Sequence, residues 1–377
     1  MAVQWRHAVV GTGVVGEWHV RIIPRIPGSR LVAVCDIVPD KARAALEKNH
    51  LQGIPVYASE AEMLRSEKID VVHICTPSGD HMGPAIMAME AGCNVICEKP
   101  LEIQLDRIDR MVETAEKHRV RLAGIFQNRW NRANRAIRDA AAEGRFGRIA
   151  WAGCFTPWYR TDQYYREGGW RGTWKLDGGG AIMNQSVHAI DLLQWIVGPV
   201  KVVSAYASSR IHPEIEVEDT LSCALTFENG AHGTIMGTTA MYPGMSVRIE
   251  VGGENGTAVS EGGLKVFRFR DERPHDRELL EALAPGIPDR LKEKIKAECG
   301  EAVLEKLRLT KPATTSGGAS ATDVPLDKHG ENIQAILRAW EAGRDAETCG
   351  PEARKAVAII LAMYESARKG GVPVEVR

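Results

Sequence analysis

The sequence predicts an α/β fold with two parts: an N-terminal doubly wound parallel sheet, and a C-terminal α+β domain built on a large, mostly antiparallel, open-faced sheet. Three observations carry this. Short apolar runs alternate with helical patterns through the first 126 residues. A Gly-x-Gly-x-x-Gly turn joins the first run to the first helical pattern. Beyond residue 147 the pattern changes to two-residue alternation broken by Asn-Gly turns.

The N-terminal runs are His7–Val10, Leu31–Cys35, Val71–Cys75, Asn94–Cys97 and Leu122–Phe126. They are continuously apolar and rich in Val and Ile, as expected of parallel strands covered on both faces. The intervals between them hold crossover helices. Polar residues gather where the runs end: Gly11, Asp36, Thr76-Pro77-Ser78, Glu98-Lys99-Pro100 and Gln127-Asn128-Arg129. Ligands of open parallel sheets bind at that edge.

In the second half, Leu221, Cys223, Leu225 and Phe227 alternate with Ser222, Ala224 and Thr226, and Asn229-Gly230 and Asn255-Gly256 mark tight turns. Strands are expected near 148–157, 201–209, 220–240 and 246–267. The helix after Gly178-Gly179-Gly180 is expected to cover one face of their sheet and leave the other for subunit contact. The domain division is 1–126 and 127–377. A charged, helix-prone stretch (Arg277–Ala284, Arg290–Lys306) and a Ser/Thr/Gly-rich loop (Lys311–Thr322) form an insertion at about 270–325. Helical periodicity returns over Glu331–Ala342 and Pro351–Lys369.

Composition narrows the function. The 377 residues are 44% apolar, and 48 Lys plus Arg balance 49 Asp plus Glu for a net charge of −1. That supplies no basic field for nucleic acid and no polybasic membrane patch. No apolar run approaches the roughly 20 residues that span a bilayer. The first residues enter a strand at once, so no secretory leader is expected and the cytoplasm is the expected location. None of the eight cysteines forms a Cys-x-x-Cys pair, so they read as small buried hydrophobes, and no metal site is expected.

Two sites stand out. Gly11, Gly13, Val14, Val15 and Gly16 follow a strand and open a helix, and Asp36 closes the next strand. This context is that of a dinucleotide site, with pyrophosphate on the helix N-terminus and ribose hydroxyls on the carboxylate. Asp36 repels a 2′-phosphate, which favours NAD, while Lys41 and Arg43 leave room for NADP. Thr76, Pro77, His81, Glu98, Lys99 and Gln127 belong to the same edge. The second site is the triple-glycine helix, where Asn184, His188 and Asp191 recur at i, i+4 and i+7 on one face. His188 has the natural pKa of a general base, and Lys99 can polarise a carbonyl or hold a hydroxyl. Asp191 either orients the histidine or caps a neighbouring strand. Trp158–Trp174 carries three Trp, three Tyr and three Arg. Arg160, Tyr164, Trp170 and Arg171 of this segment suit a polyhydroxylated ring, and the same composition also suits a subunit interface.

These motifs together resemble the Gfo/Idh/MocA oxidoreductase family: the glycine turn, Thr76-Pro77 followed by His81, Ala91-Gly92 through Glu98-Lys99-Pro100, and Gly178-Gly179-Gly180 with Asn184, His188 and Asp191. The resemblance covers nearly the whole chain. It implies a Rossmann domain, a homodimer or homotetramer, and NAD(P)-dependent oxidation or reduction of a sugar, cyclitol or sugar derivative at a CH–OH group. It carries the catalytic lysine onto Lys99 and the catalytic histidine onto His188. Many members have aspartate at the position of Asn184, so the proton role falls more heavily on His188 and Lys99, with Asn184 orienting. Two other activities fit the same motifs: an NAD-retaining glycosidase working by redox elimination, and a ligand sensor without catalysis.

Overall fold

The computed structural model describes residues 5–284 and 326–377. The first sheet is wholly parallel, with order β3-β2-β1-β4-β5-β6. Its strands are β1 (Trp5–Val10), β2 (Ser29–Cys35), β3 (Val56–Tyr57), β4 (Val71–Ile74), β5 (Asn94–Cys97) and β6 (Leu122–Gly124). The order reverses between β1 and β4, and the crevice at such a switch point is where dinucleotides bind. Helices α1 (Val14–Ile22), α2 (Pro39–Lys48), α3 (Glu60–Ser66), α4 (Met82–Glu90) and α5 (Leu105–His118) make the crossovers.

After α6 (Arg132–Ala142) the chain builds the second sheet, in the order β13-β12-β11-β7-β10-β9-β8-β14. Its strands are β7 (Ile149–Pro157), β8 (Val200–Ser208), β9 (Thr220–Phe227), β10 (His232–Thr238), β11 (Arg248–Gly253), β12 (Gly256–Glu261), β13 (Leu264–Phe269) and β14 (Val374–Glu375). Only β7 and β10 pair in parallel. Asn229-Gly230 makes the β9–β10 hairpin, with Gly230 at φ 85°. A short α7 (Asp162–Arg166) lies in the aromatic segment, and α8 (Val187–Val197) covers one face of the sheet with Val187 and Ile190 in the core. On the opposite face Ser222 and Ala224 are exposed.

Helix α9 (Pro274–Ala282) begins the charged stretch; Arg290–Lys306 and Lys311–Thr322 lie outside the described residues. The last two helices join the halves. In α10 (Leu326–Glu341), Ile333, Ile336 and Trp340 pack with Trp18, Ile22, Val71 and Ile96, so this late helix covers a face of the first sheet beside α1. Helix α11 (Gly350–Arg368) touches α5 and β6 on one side, and α8 and β8 on the other.

The triple-glycine helix departs from a uniform α-helix. Its first stretch, Ala181–Ser186, is a π-turn, and α8 proper begins at Val187. Ser186 Oγ donates to the Ala181 carbonyl at 2.7 Å. At the start, the buried Glu218 carboxylate accepts from the Gly180 and Ile182 N–H groups and from the Tyr364 hydroxyl. An acidic cap on exposed N–H groups is favourable, and π-turns collect at functional sites. Gly179 sits at φ 155°, where a Cβ would lie 2.0 Å from the Tyr364 hydroxyl, so only glycine lets the turn close.

Candidate active site

The glycine turn leaves β1 and enters α1 with room reserved for a ligand. A Cβ on Gly16 would lie 1.9 Å from the Gly11 carbonyl oxygen, and one on Gly11 would meet the Cys75 carbonyl at 2.7 Å. A Cβ on Gly13 would meet nothing within 4 Å. The backbone is thus packed tightly behind the turn and open in front. The first N–H groups of α1, at Val14 and Val15, have no intrahelical acceptors and suit an anion. Asp36 closes the cradle: its Oδ2 accepts from Thr12 N–H (2.8 Å) and Thr12 Oγ1 (2.7 Å), and its Oδ1 from Val38 N–H (2.9 Å). A fourth lone-pair direction remains for a hydroxyl donor. Ile37 beside it is 91% exposed, an apolar shelf next to a polar clamp, which is what a nucleoside needs.

The side chains of two edge residues, His81 and Glu98, are engaged by other parts of the protein. The buried His81 sets one ring nitrogen 2.9 Å from the Thr76 carbonyl and the other 2.9 Å from the Pro100 carbonyl, tying the loops after β4 and β5 together. Glu98 turns beneath the sheet. Its Oε1 lies 2.9 Å from His19 Nε2 and 3.7 Å from His329 Nε2. His19 Nδ1 continues to His73 Nδ1 at 2.8 Å, and His73 Nε2 to His7 Nδ1 at 2.9 Å. The β1–β4 register puts His7 opposite Val71, so His7 and His73 share a face two residues apart. Burial drives His73 far down and His7 down to about 3, so both are neutral rings. Burial alone would raise Glu98, but the bonds and charges of His19 and His329 outweigh it and hold this carboxyl well below the usual range.

Lys99 follows directly, before a cis Pro100. Its Nζ donates to the Asn184 carbonyl oxygen at 2.9 Å and to Asn184 Oδ1 at 3.3 Å. This contact joins the edge of the first sheet to the π-turn of the second half. Burial lowers the Lys99 ammonium, opposed by the charges of Glu98 and Asp177. The Asn184 amide donates to Asp177 Oδ1 at 2.5 Å, and Asp177 Oδ2 accepts from Gly172 N–H at 2.8 Å. Asp177 is 1% exposed, and burial pushes its carboxyl up to about 7 against those bonds and the charge of Lys99. Where many family members have aspartate, this chain has an asparagine with an aspartate directly behind it.

His188 is partly exposed and lies close enough to Lys99 to feel its charge; burial first, then that charge, pushes the ring down to about 3. Its Nε2 is 3.4 Å from Gln127 Nε2, a long contact, and its ring stands edge-on to Phe126 with centroids 5.9 Å apart. Among the described residues, the buried His188 Nδ1 and Gln127 Oε1 have no hydrogen-bond partner. Asp191 bonds neither a histidine nor a strand N–H among the described residues. It forms a fully buried fork with Arg129, at 2.8 and 2.5 Å, because the turn Gln127–Trp130 that follows β6 packs beside α8.

The aromatic segment closes the other side. Gln185 accepts from Arg160 at 2.9 Å, while its amide donates to the Tyr164 hydroxyl at 2.8 Å and to Asn184 Oδ1 at 3.1 Å. Arg160 lies over Trp158 and Tyr164, and Arg171 over Tyr164 at 4.3 Å and Trp170 at 5.9 Å. Lys99, Asn184, Arg160, Tyr164 and Arg171 are therefore linked in one cluster, beside which His188 meets Gln127 and feels the charge of Lys99. Sequence reasoning overlooked Asp177, Gln185, Glu218 and the buried histidines. For Asp177 the one local mark is its place immediately before the glycines, which an ordinary turn residue shares.

Comparison with known proteins agrees with this architecture. Residues 5–126 match the oxidoreductase family profile of the NAD-binding Rossmann fold, and residues 134–259 match the GFO/IDH/MocA C-terminal domain. The chain is similar to the myo-inositol 2-dehydrogenase of Thermotoga maritima, at 28% identity over 67% of this chain and 72% of that protein. It is similar to the D-glucoside 3-dehydrogenase of Escherichia coli, at 30% identity over 60% of this chain and 67% of that protein. Its fold matches the WlbA dehydrogenase of Bordetella pertussis, solved in complex with NADH and UDP-GlcNAcA, with a TM-score of 0.81, 29% identity, and coverage of 100% and 99%. Glycine cradle, Lys99 edge and triple-glycine turn thus stand in one molecule with matching profiles on both halves, and the chain belongs to the Gfo/Idh/MocA family of NAD-binding oxidoreductases.

Proposed function

We propose that the protein is an NAD-dependent dehydrogenase that oxidises a secondary hydroxyl of a sugar, cyclitol or sugar derivative, or reduces the corresponding ketone. The observation that carries this is the 2.9 Å bond from Lys99 Nζ to the Asn184 carbonyl, which brings an ammonium from the nucleotide edge onto the helix that bears His188. When bound, NAD supplies the hydride acceptor or donor. The residues of this chain handle the oxygen. The Lys99 ammonium holds the substrate oxygen and stabilises negative charge there as the carbonyl forms. His188, pushed well below the usual imidazole value, is a neutral lone pair that takes the hydroxyl proton as hydride leaves and passes it on to solvent rather than storing it; reduction draws the proton back by the same route. Asn184 fixes Lys99, and Asp177 supplies the negative charge behind it. Tyr164 holds Arg160 and Arg171 over its ring, so that their donors reach the sugar hydroxyls, and Trp170 presents a flat face to the sugar ring. The activity reading draws on the inositol and glucoside dehydrogenases among the relatives.

A panel of sugars, cyclitols and sugar derivatives, scored by NADH absorbance, tests the reading. At least one compound gives NADH with the wild type and none with Lys99→Ala. A panel without any NADH formation, or a Lys99→Ala variant as fast as wild type, overturns it.

A further inference from the structure

We propose that the crevice contains a subsite for an oxyanion carried by the sugar, a carboxylate or a phosphate, built from Arg171 together with Arg160 and Lys99 around Tyr164. This deepens the dehydrogenase reading and rests on its assignment of the crevice to a sugar-like ligand. The two guanidiniums share one aromatic ring, with Arg171 Cζ 4.3 Å and Arg160 Cζ 5.1 Å from the Tyr164 centroid. Gln185 links that ring to the catalytic side: it bonds Arg160, the Tyr164 hydroxyl and Asn184, and Asn184 in turn receives Lys99.

Among the described residues, Arg171 and Lys99 carry charge that no direct ion pair answers. Several partly or fully buried arginines elsewhere meet carboxylates: Arg107 meets Glu102 at 2.8 Å, Arg129 meets Asp191, and Arg145 meets Asp276 at 2.6 Å. Among the described residues, no carboxylate oxygen lies within 4.0 Å of a nitrogen of Arg171 or Lys99. Arg171 instead donates to the Tyr164 carbonyl at 3.1 Å and keeps other donors of its fork for something else. The nearby acids do not answer the excess. Glu98 is committed to His19 and His329, and Asp177 is bonded to Asn184 and Gly172. Each of the two arginines depresses the Lys99 ammonium, so the three cations repel one another across the crevice. A planar oxyanion on a guanidinium fork relieves this with directional, charge-assisted bonds, which a neutral hydroxymethyl group does not provide.

The test is calorimetric titration of the NAD-loaded protein with three matched probes, D-glucuronate, D-glucose 6-phosphate and D-glucose, with NADH formation followed in parallel. Glucuronate or the phosphate binds at least about tenfold more tightly than glucose, the effect of one charge-assisted contact. The arm that wins identifies the group. Arg171→Gln removes the preference, costing the anion at least about tenfold more affinity than it costs glucose, and Arg171→Lys, which keeps the charge, retains part of it. Equal binding of all three probes, binding of none, or a preference untouched in Arg171→Gln overturns the subsite. Turnover of a neutral sugar without any anion preference removes the subsite and leaves the dehydrogenase. A preference for the anion without NADH from any substrate does the reverse.

Discussion

Glu98 and Asp177 are both buried carboxylates that bear on Lys99, one delivered by the first sheet and the other by the segment that leads into the π-turn. Both suffer the same desolvation, and it acts on both in the same direction. Their partners separate them. Glu98 faces imidazoles, which answer its charge, and its carboxyl is held far below the ordinary range. Asp177 has an amide and one backbone N–H, with Lys99 at longer range, and rises to about 7. The wall built by the first sheet therefore carries a fixed charge, and the wall built by the second half carries one that changes near neutrality. A site assembled from two halves can thus combine permanent positioning with an adjustable field.

The largest break comes from the residue between the walls. Lys99→Met keeps most of the side chain's bulk and removes the charge that both carboxylates act upon. Turnover is expected to fall by about 10³ in steady-state assays, in keeping with loss of a preorganised oxyanion donor. Protein stability should change little, because burial already disfavours the ammonium.

Next in size is the fixed wall. Glu98→Gln leaves His19 and His329 facing an amide, and unfolding by denaturant at pH 7 should show a loss of about 2 kcal/mol. The sign with pH follows from the depressed carboxyl: the stabilisation is present above the unfolded value of 4.5 and is lost as pH falls through the folded value. The gap between wild type and Glu98→Gln therefore closes in acid. Asp177→Asn behaves oppositely. A carboxyl raised from 3.8 to about 7 destabilises the folded state progressively as pH rises across that interval. At pH 8 the variant is expected within about 1 kcal/mol of wild type, relief of the charge offsetting the mismatch with Gly172 N–H. Relative to wild type it gains stability between pH 4 and 7.

The two walls also differ in how far the sequence disclosed them. Strand-end clustering marks Gly11, Asp36 and Lys99, because a parallel sheet presents all its carboxyl ends on one edge and the chemistry must gather there. The network of Glu98 was invisible: His19 and His329 touch it, His73 and His7 extend it, and the four lie on different elements spread over more than 300 residues. The second half was legible as strands, since Asn229-Gly230 and the alternation around Leu221 are local signals. Its site was only half legible. A helical wheel puts Asn184, His188 and Asp191 on one face, but the π-turn changes the spacing, and Arg129 claims Asp191 from a different element. Asp177 reads as an ordinary turn residue before glycines. Its importance depends on burial, which no local pattern reports.

The smallest effect is the most specific to the adjustable wall. With Asp177 titrating at about 7, its negative charge behind Asn184 grows from slightly acidic to slightly alkaline conditions. That charge favours the Lys99 ammonium, which the two neighbouring arginines oppose. In the oxidation direction kcat/KM is therefore expected to rise by several-fold through pH 7 and then level off. His188, already neutral above about 3, contributes no inflection in this range. Asp177→Asn should flatten the step while leaving measurable turnover, whereas Asp177→Glu should keep a step at a displaced pH. A rise that persists unchanged in Asp177→Asn would move the titrating group elsewhere and would make the second wall as fixed as the first.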